Sequence, residues 1–260
     1  MEFSKPIKSY QLRNDEQIIY GGFWRKFNQN ENFPGRAGHK VKCAFNFETE
    51  EGEAVLVKVA LSGVNTANAL ENLKAEIPHW DFDKVVLQAK EKWNKELSKI
   101  TIEAGEERKE NFYTSMYHAF INPNIYSDVN GEYRGLDQNI YKSNKFTNYT
   151  TFSLWDTYRA LHPLYTIIQQ KRASDIVNSM IAHSEQSVHK ILPVWSHWAN
   201  ENWCMIGYHA VPVLADAVMK GLGGFDVNKA FDACVASANY DVYDGIGAYK
   251  KYGFVPVDIS

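Results

Sequence analysis

The period of the hydrophobic pattern changes near residue 65, and that change limits the fold more than any single motif does. Upstream, VKCAFNFE (41–48) sets Val41, Cys43, Phe45 and Phe47 against Lys42, Ala44, Asn46 and Glu48. Alternation at every second residue is the pattern of a half-buried strand. AVLVKVALSGV (54–64) is rich in β-branched residues, and a turn at Gly52 offers it a hairpin partner. Two or three strands do not stand alone as a sheet, so residues 1–64 read as the edge of a larger one. Downstream the spacing lengthens. NTANALENLKAEI (65–77) consists mostly of helix formers and stops at Pro78, and Val85, Ala89, Trp93 and Leu97 then recur four apart. This predicts a helical linker over 65–109, ending near the charged run GEERKEN (105–111).

From Glu110 onward the spacing predicts helices near 110–121, 154–170, 173–191, 205–221 and 227–239. Trp155, Tyr158, Leu161, Tyr165 and Ile168 form an apolar stripe along the second. Gly221, Gly223 and Gly224 stop the fourth, and Asp226 is placed to cap the fifth. Residues 122–150 read as one long irregular loop, whose tyrosines and phenylalanines argue against disorder. The expected class is mostly α with a β N-terminal part.

Several kinds of chemistry drop out early. With 28 basic and 31 acidic residues the net charge is −3, which gives no global attraction to nucleic acid or anionic membranes. No apolar run reaches the roughly 18 residues that a bilayer span requires. MEFSKPIKSY, at the start, lacks the apolar stretch of a secretory signal. Cys43, Cys204 and Cys234 are too few and too scattered for a disulfide framework or a thiolate zinc site. GxGxxG, GxxxxGK[ST], HExxH and GxSxG do not occur, so dinucleotide, nucleoside triphosphate, zincin and α/β-hydrolase chemistries lack support.

What remains is aromatic. Phe, Trp and Tyr make up 14% of the chain, and many stand beside polar residues, as on a surface that stacks sugar rings. Four stretches concentrate them: 131–139 with Arg134, Asp137 and Gln138; 152–165 with Trp155, Asp156, Arg159 and His162; 192–213; and 239–253. Each has a plainer explanation. Ser153 and Asp156 fit a capping box, Arg159 could pair with Asp156, and Glu201 could offset a helix dipole. His162 and His209 suit packing roles, and Cys204 suits a buried thiol. The third stretch resists such explanations, because Trp195, His197, Trp198, Glu201, Trp203 and His209 crowd into it. Asn148-Tyr-Thr150 is a glycosylation sequon. The loop carboxylates Asp137, Asp156, Asp241 and Asp244 lack the spacing of an EF-hand.

GEYRGLD, FSLWDTYRALHPLYT, ENWCMIGYHAVPVLADAVMKG and NALENLKAEIPHWDFDKVVLQAKEKWNKEL together resemble the glycoside hydrolase family 92 α-mannosidases, mostly bacterial and often exo-acting on α-1,2-mannosides. The resemblance implies the end of a β-sandwich over 1–64 and the first part of an (α/α)6 barrel over 110–260. It implies inverting, calcium-dependent removal of terminal α-linked mannose from glycans, and a periplasmic, cell-surface or secreted location. By the same comparison Glu201 is the general acid, with Trp198 and Trp203 placed to desolvate it. Trp155 and Asp156 line the sugar pocket, with Arg134, Asp137, Arg159, Trp198, Trp203 and His209 as further substrate contacts. The family's GNEPSH-like and GDED-like stretches, linked to calcium and to the catalytic base, do not occur here. The expectation is therefore a piece of the family with no metal ligands of its own, and the alternative is a glycan-binding or structural fragment without turnover.

Overall fold

A computed structural model describes residues 1–16, 39–242 and 245–258. The chain divides into two compact units, Met1–Val59 and Ala60–Ser260. In the first, β1 (Glu2–Phe3) pairs antiparallel with β4 (Val57–Lys58), and β2 (Ser9–Glu16) pairs with β3 (His39–Asn46). Tyr10 lies opposite Phe45 in that register, and Phe3 meets the rings of Phe45 and Phe47 at 5.0 and 5.1 Å. The strand expected over 54–64 is only Val57–Lys58. Beyond it the carbonyls serve side chains instead of a ladder: Leu61 accepts from Asn72, and Gly63 and Val64 accept from Arg134.

The second unit opens with α1 (Thr66–Glu76), α2 (Phe82–Leu97) and α3 (Glu106–Ala119). Asn65 and Asp81 cap the first two by accepting from the amides of Asn68 and Lys84, both at 2.9 Å. Trp93 of α2 rests on Tyr117 of α3 at 4.5 Å. Residues 122–150 are not an irregular loop. They build two small antiparallel pairs, β5 (Asn124–Ile125) with β8 (Tyr149–Thr150), and β6 (Glu132–Arg134) with β7 (Ile140–Lys142). Tyr126 and Tyr133 are buried beneath them and give the segment its own small core.

The helix expected over 154–170 is broken into α4 (Leu154–Thr157) and α5 (Leu161–Ile168). Pro163 explains the break. It lacks the N–H that would bond to the Arg159 carbonyl, and its ring clashes there, so it is tolerated only in the first turn of a new helix. Pro212 acts in the same way downstream, where α7 (Ala210–Met219) starts five residues later than expected. Between them run α6 (Gln170–Gln186) and, after it, the short strands β9 (Ser196–His197) and β10 (Asn200–Glu201). The described chain closes with α8 (Val227–Ala238), capped by Asp226 as expected, and α9 (Ile246–Tyr252).

The main core forms around α6. Ile176, Val177 and Met180 are essentially inaccessible and lie in one cluster with Phe152, Leu154, Tyr165 and Leu214. Two histidines are sealed into this region. His162 packs edge-on to Tyr165 and His183 edge-on to Phe152. Burial pushes both imidazoles down to about 4. Among the described residues no helix is long and apolar enough to cross a membrane.

Candidate active site

The other three polar-aromatic stretches reach the third, at residues 192–209, directly or through one intervening histidine. From the first, Gln138 donates to the Ala199 carbonyl at 2.8 Å. From the second, the Phe152 amide donates to the Ser196 carbonyl, and Tyr158 stacks on His209 at 4.5 Å. The fourth arrives through His189, whose Nδ1 lies 2.6 Å from the Tyr240 hydroxyl and whose ring meets Trp203 at 5.3 Å.

At the centre, β9 and β10 form a hairpin in which Asn200 pairs with His197 and Glu201 with Ser196. Its two connecting residues, Trp198 and Ala199, have φ of 49° and 61°. Positive φ at both central positions is the signature of turns that favour Asn-Gly or Gly-Gly. A tryptophan there stores strain, of order 1–3 kcal/mol, and persists only when its surroundings enforce it. The enforcement is visible. The Trp198 amide donates to Thr150 Oγ1 at 2.8 Å, its ring meets Tyr126 edge-on at 5.6 Å, and Ala199 is buried. Among the described residues seven non-glycine positions have positive φ, and Gln138, Thr151, Trp198, Ala199 and Trp203 are five of them. Strain of this kind gathers where geometry serves function.

Each expected site residue has a definite place. Trp155 and Trp198 present ring surface outward, at 39% and 52% exposure, as stacking on a sugar requires. Asp156 is exposed and accepts from the Ser153 hydroxyl at 2.5 Å. That hydroxyl in turn accepts from the Trp195 indole N–H at 2.6 Å, tying the second stretch to the third. Neither plain explanation of Asp156 holds: Ser153 makes no side-chain cap of α4, and the partner of Asp156 is Ser153, not Arg159. Arg159 is exposed. Arg134 is committed inward, donating to the carbonyls of Gly63, Val64 and Gln138. Gly63 has no room for a side chain, since a Cβ would lie 2.5 Å from the Tyr126 hydroxyl. Asp137 accepts from Tyr141 and from Asn139. Burial pushes its carboxyl up, but those hydrogen bonds outweigh burial and hold it below the usual carboxylate range.

Glu201 is half-buried, and both of its carboxylate oxygens are engaged. Oε2 accepts from the Val194 amide at 2.8 Å, and Oε1 accepts from the amides of Trp195 at 2.8 Å and Trp203 at 3.2 Å. Thr150 and Tyr126 join the site without any local signal of that role in the sequence, because each reaches Trp198 across more than 40 residues, and Ser153, legible only as a cap, reaches Trp195 across 42. One expectation is overturned here. Cys204 is exposed, since the left-handed turn at Trp203 carries it outward. Asn148 is fully buried, so the folded chain withholds its sequon from glycosylation. Asp244 lies outside the described residues.

The model of the glycosyl hydrolase family 92 catalytic domain matches residues 68–260, which include every element of this site. The chain belongs to glycoside hydrolase family 92. An α-mannosidase of the family from Bacteroides thetaiotaomicron is 41% identical over 98% of the chain, with a TM-score of 0.84. Its complex with mannoimidazole superposes almost as well, at 0.83. A second family 92 enzyme of that organism, described as an inverting mannosidase, is 25% identical over 98% of the chain at 0.76. An uncharacterized secreted glycosidase of Arthroderma benhamiae is 25% identical over 215 residues, or 78% of the chain. The chain spans 34% of the first structure's length and 23% of the Arthroderma protein's. Against these relatives the family 92 chain shows a mostly helical body with small sheets.

Proposed function

We propose that the protein acts on terminal α-linked mannose in glycans, as part of a family 92 glycosidase. The observation that carries this reading is the strained Trp198–Ala199 hairpin, which holds an exposed tryptophan outward. The exposed Trp155 and Trp198 both lie within a region 41% identical to an α-mannosidase solved in complex with mannoimidazole. An α-1,2 linkage preference, inversion and a β-sandwich joined to an (α/α)6 barrel belong to the same proposal. So does an extracellular or periplasmic location, in keeping with the secreted Arthroderma relative. Calcium dependence is proposed for the enzyme as a whole. Among the described residues no three His, Cys, Asp or Glu side chains group together to hold a metal, so no step here runs through the ion. The test is release of mannose from α-1,2-mannobiose, with the anomer followed by NMR. Initial release of α-mannose would contradict inversion, and no release by the enzyme would remove the hydrolase reading.

A second reading, glycan binding without turnover, is favoured for this chain by the state of its carboxylates. Inverting hydrolysis needs an acid and a base about 6.5–9.5 Å apart, with access to sugar and water. Of the three site carboxylates, Asp137 and Glu201 are bonded into their own loops, and Asp156 is the exposed one. Saturable mannoimidazole binding to the 260-residue chain without mannose release decides for this reading.

A further inference from the structure

We propose that Ser153 is a positioning residue for the Asp156 carboxylate, and that it couples the orientation of that carboxylate to Trp195. Ser153 occupies the N-cap position of α4, yet its hydroxyl makes no capping bond. Its place is set by its carbonyl, which accepts from the Asp156 and Thr157 amides at 3.2 and 3.3 Å and from Thr157 Oγ1 at 3.1 Å. The hydroxyl is left for another purpose. It lies 2.6 Å from Trp195 Nε1 and 2.5 Å from Asp156 Oδ2. The three groups allow one direction of bonding. An indole N–H only donates, a carboxylate only accepts, and a serine hydroxyl has a single proton. The hydroxyl oxygen therefore accepts from Trp195, and its proton goes to Asp156 in a charge-assisted bond, the stronger class. Trp195 is half-buried and rests on His197, ring to ring at 4.6 Å, so the start of this chain of bonds is fixed. Its end is not. Asp156 is exposed, and among the described residues no second side chain bonds to its carboxylate. With Ser153 in place Oδ2 is held and Oδ1 is left for a ligand hydroxyl. An oriented carboxylate loses less side-chain freedom on binding than a mobile one. The inference rests on the mannoside reading for the identity of the ligand.

The experiment compares Ser153→Ala, Ser153→Thr and Trp195→Phe in the 260-residue chain, by calorimetric titration with mannoimidazole and by NMR of the Asp156 carboxyl carbon. Ser153→Ala should weaken mannoimidazole by about three- to tenfold, the loss that freeing one bound side chain implies. Ser153→Thr keeps the hydroxyl and should bind as the wild type does. Trp195→Phe removes the N–H that directs the hydroxyl and should cost less than Ser153→Ala. In an Asp156→Ala background, Ser153→Ala should change affinity by less than about twofold, because Ser153 acts through that carboxylate. A merely structural loss would recur there in full, and that result overturns the inference. So does wild-type affinity in Ser153→Ala. If Ser153→Ala does not fold, the other two variants decide, and threonine binding more weakly than the Trp195→Phe chain overturns the inference. The NMR arm needs no ligand. The Asp156 carboxyl signal should move in Ser153→Ala and, in the same direction but less, in Trp195→Phe. A signal that ignores Trp195→Phe breaks the proposed coupling. Wild-type chain that ignores mannoimidazole would count against the mannoside reading, while the carboxyl signal still judges Ser153.

Discussion

Helix α6 and the β9–β10 hairpin lie side by side in the same unit and are built on opposite principles. In α6 the backbone is relaxed, the apolar face is sealed, and Ile176, Val177 and Met180 are at most 1% exposed. The hairpin carries the left-handed Trp198 and Ala199, exposes Trp198 at 52%, and relies on polar contacts from Gln138 and Thr150. His183 of α6 meets Ser196 of β9 at 3.2 Å, so the relaxed element supports the strained one. The comparison teaches that the packed core and the proposed sugar site rest on different residues here, so that the two should be separable by substitution.

The largest effect expected is that of acid on the helical core. His162 and His183 ordinarily titrate at 6.5, and burial lowers them to about 4. Above 6.5 both are neutral whether folded or unfolded, so protonation contributes nothing. As pH falls from 6.5 towards 4 the unfolded chain takes up protons that the folded chain refuses, and stability drops. At pH 4 the loss is of order 3 kcal/mol for each histidine. Urea midpoints measured between pH 7 and 4 should decline over that window, and His183→Gln should flatten the decline. A flat profile in the wild type would show that neither histidine is buried as described.

Next in size is Phe152→Ala, which empties a position 1% exposed in the main core. It should cost about 3–5 kcal/mol in chemical denaturation, and mannoimidazole affinity at temperatures where the fold persists should change far less. The reverse separation is expected of Trp198→Asn combined with Ala199→Gly. Relief of the two left-handed positions should raise stability by about 1–2 kcal/mol. Removing the exposed indole should at the same time weaken sugar binding roughly tenfold or more, as lost aromatic contact of about 1.5 kcal/mol implies. If melting temperature and affinity fell together, the division between α6 and the hairpin would be wrong. The smallest effect is that of Asp226→Ala. It removes the cap over the amides of Asn228 and Lys229 and should cost about 1 kcal/mol in thermal unfolding, with the site unaffected.

What the sequence alone determined is what short stretches can encode. The change of period near residue 65, the Asp226 cap, the half-buried stripe of Trp93 and Leu97, and the motifs that place the chain in family 92 all depend on residues a few positions apart. Even the break at Pro163 was written locally, as a missing N–H, although the apolar stripe across 154–170 concealed it. The site was legible as a set of crowded residues and not as an arrangement. Only the tertiary structure decided that residues 122–150 fold into two strand pairs, that Asn148 is sealed inside while Cys204 faces out, and that Arg134 turns to the carbonyls of Gly63 and Val64. It also decided that the Trp198–Ala199 turn is left-handed and that the Glu201 carboxylate gathers three amides. The reason is the reach of the interactions. Propensity and capping act within about one helical turn, whereas the contacts that fix Arg134, Trp195 and Trp198 join residues 42 to 71 positions apart, and the strained hairpin in which Glu201 sits depends on those contacts.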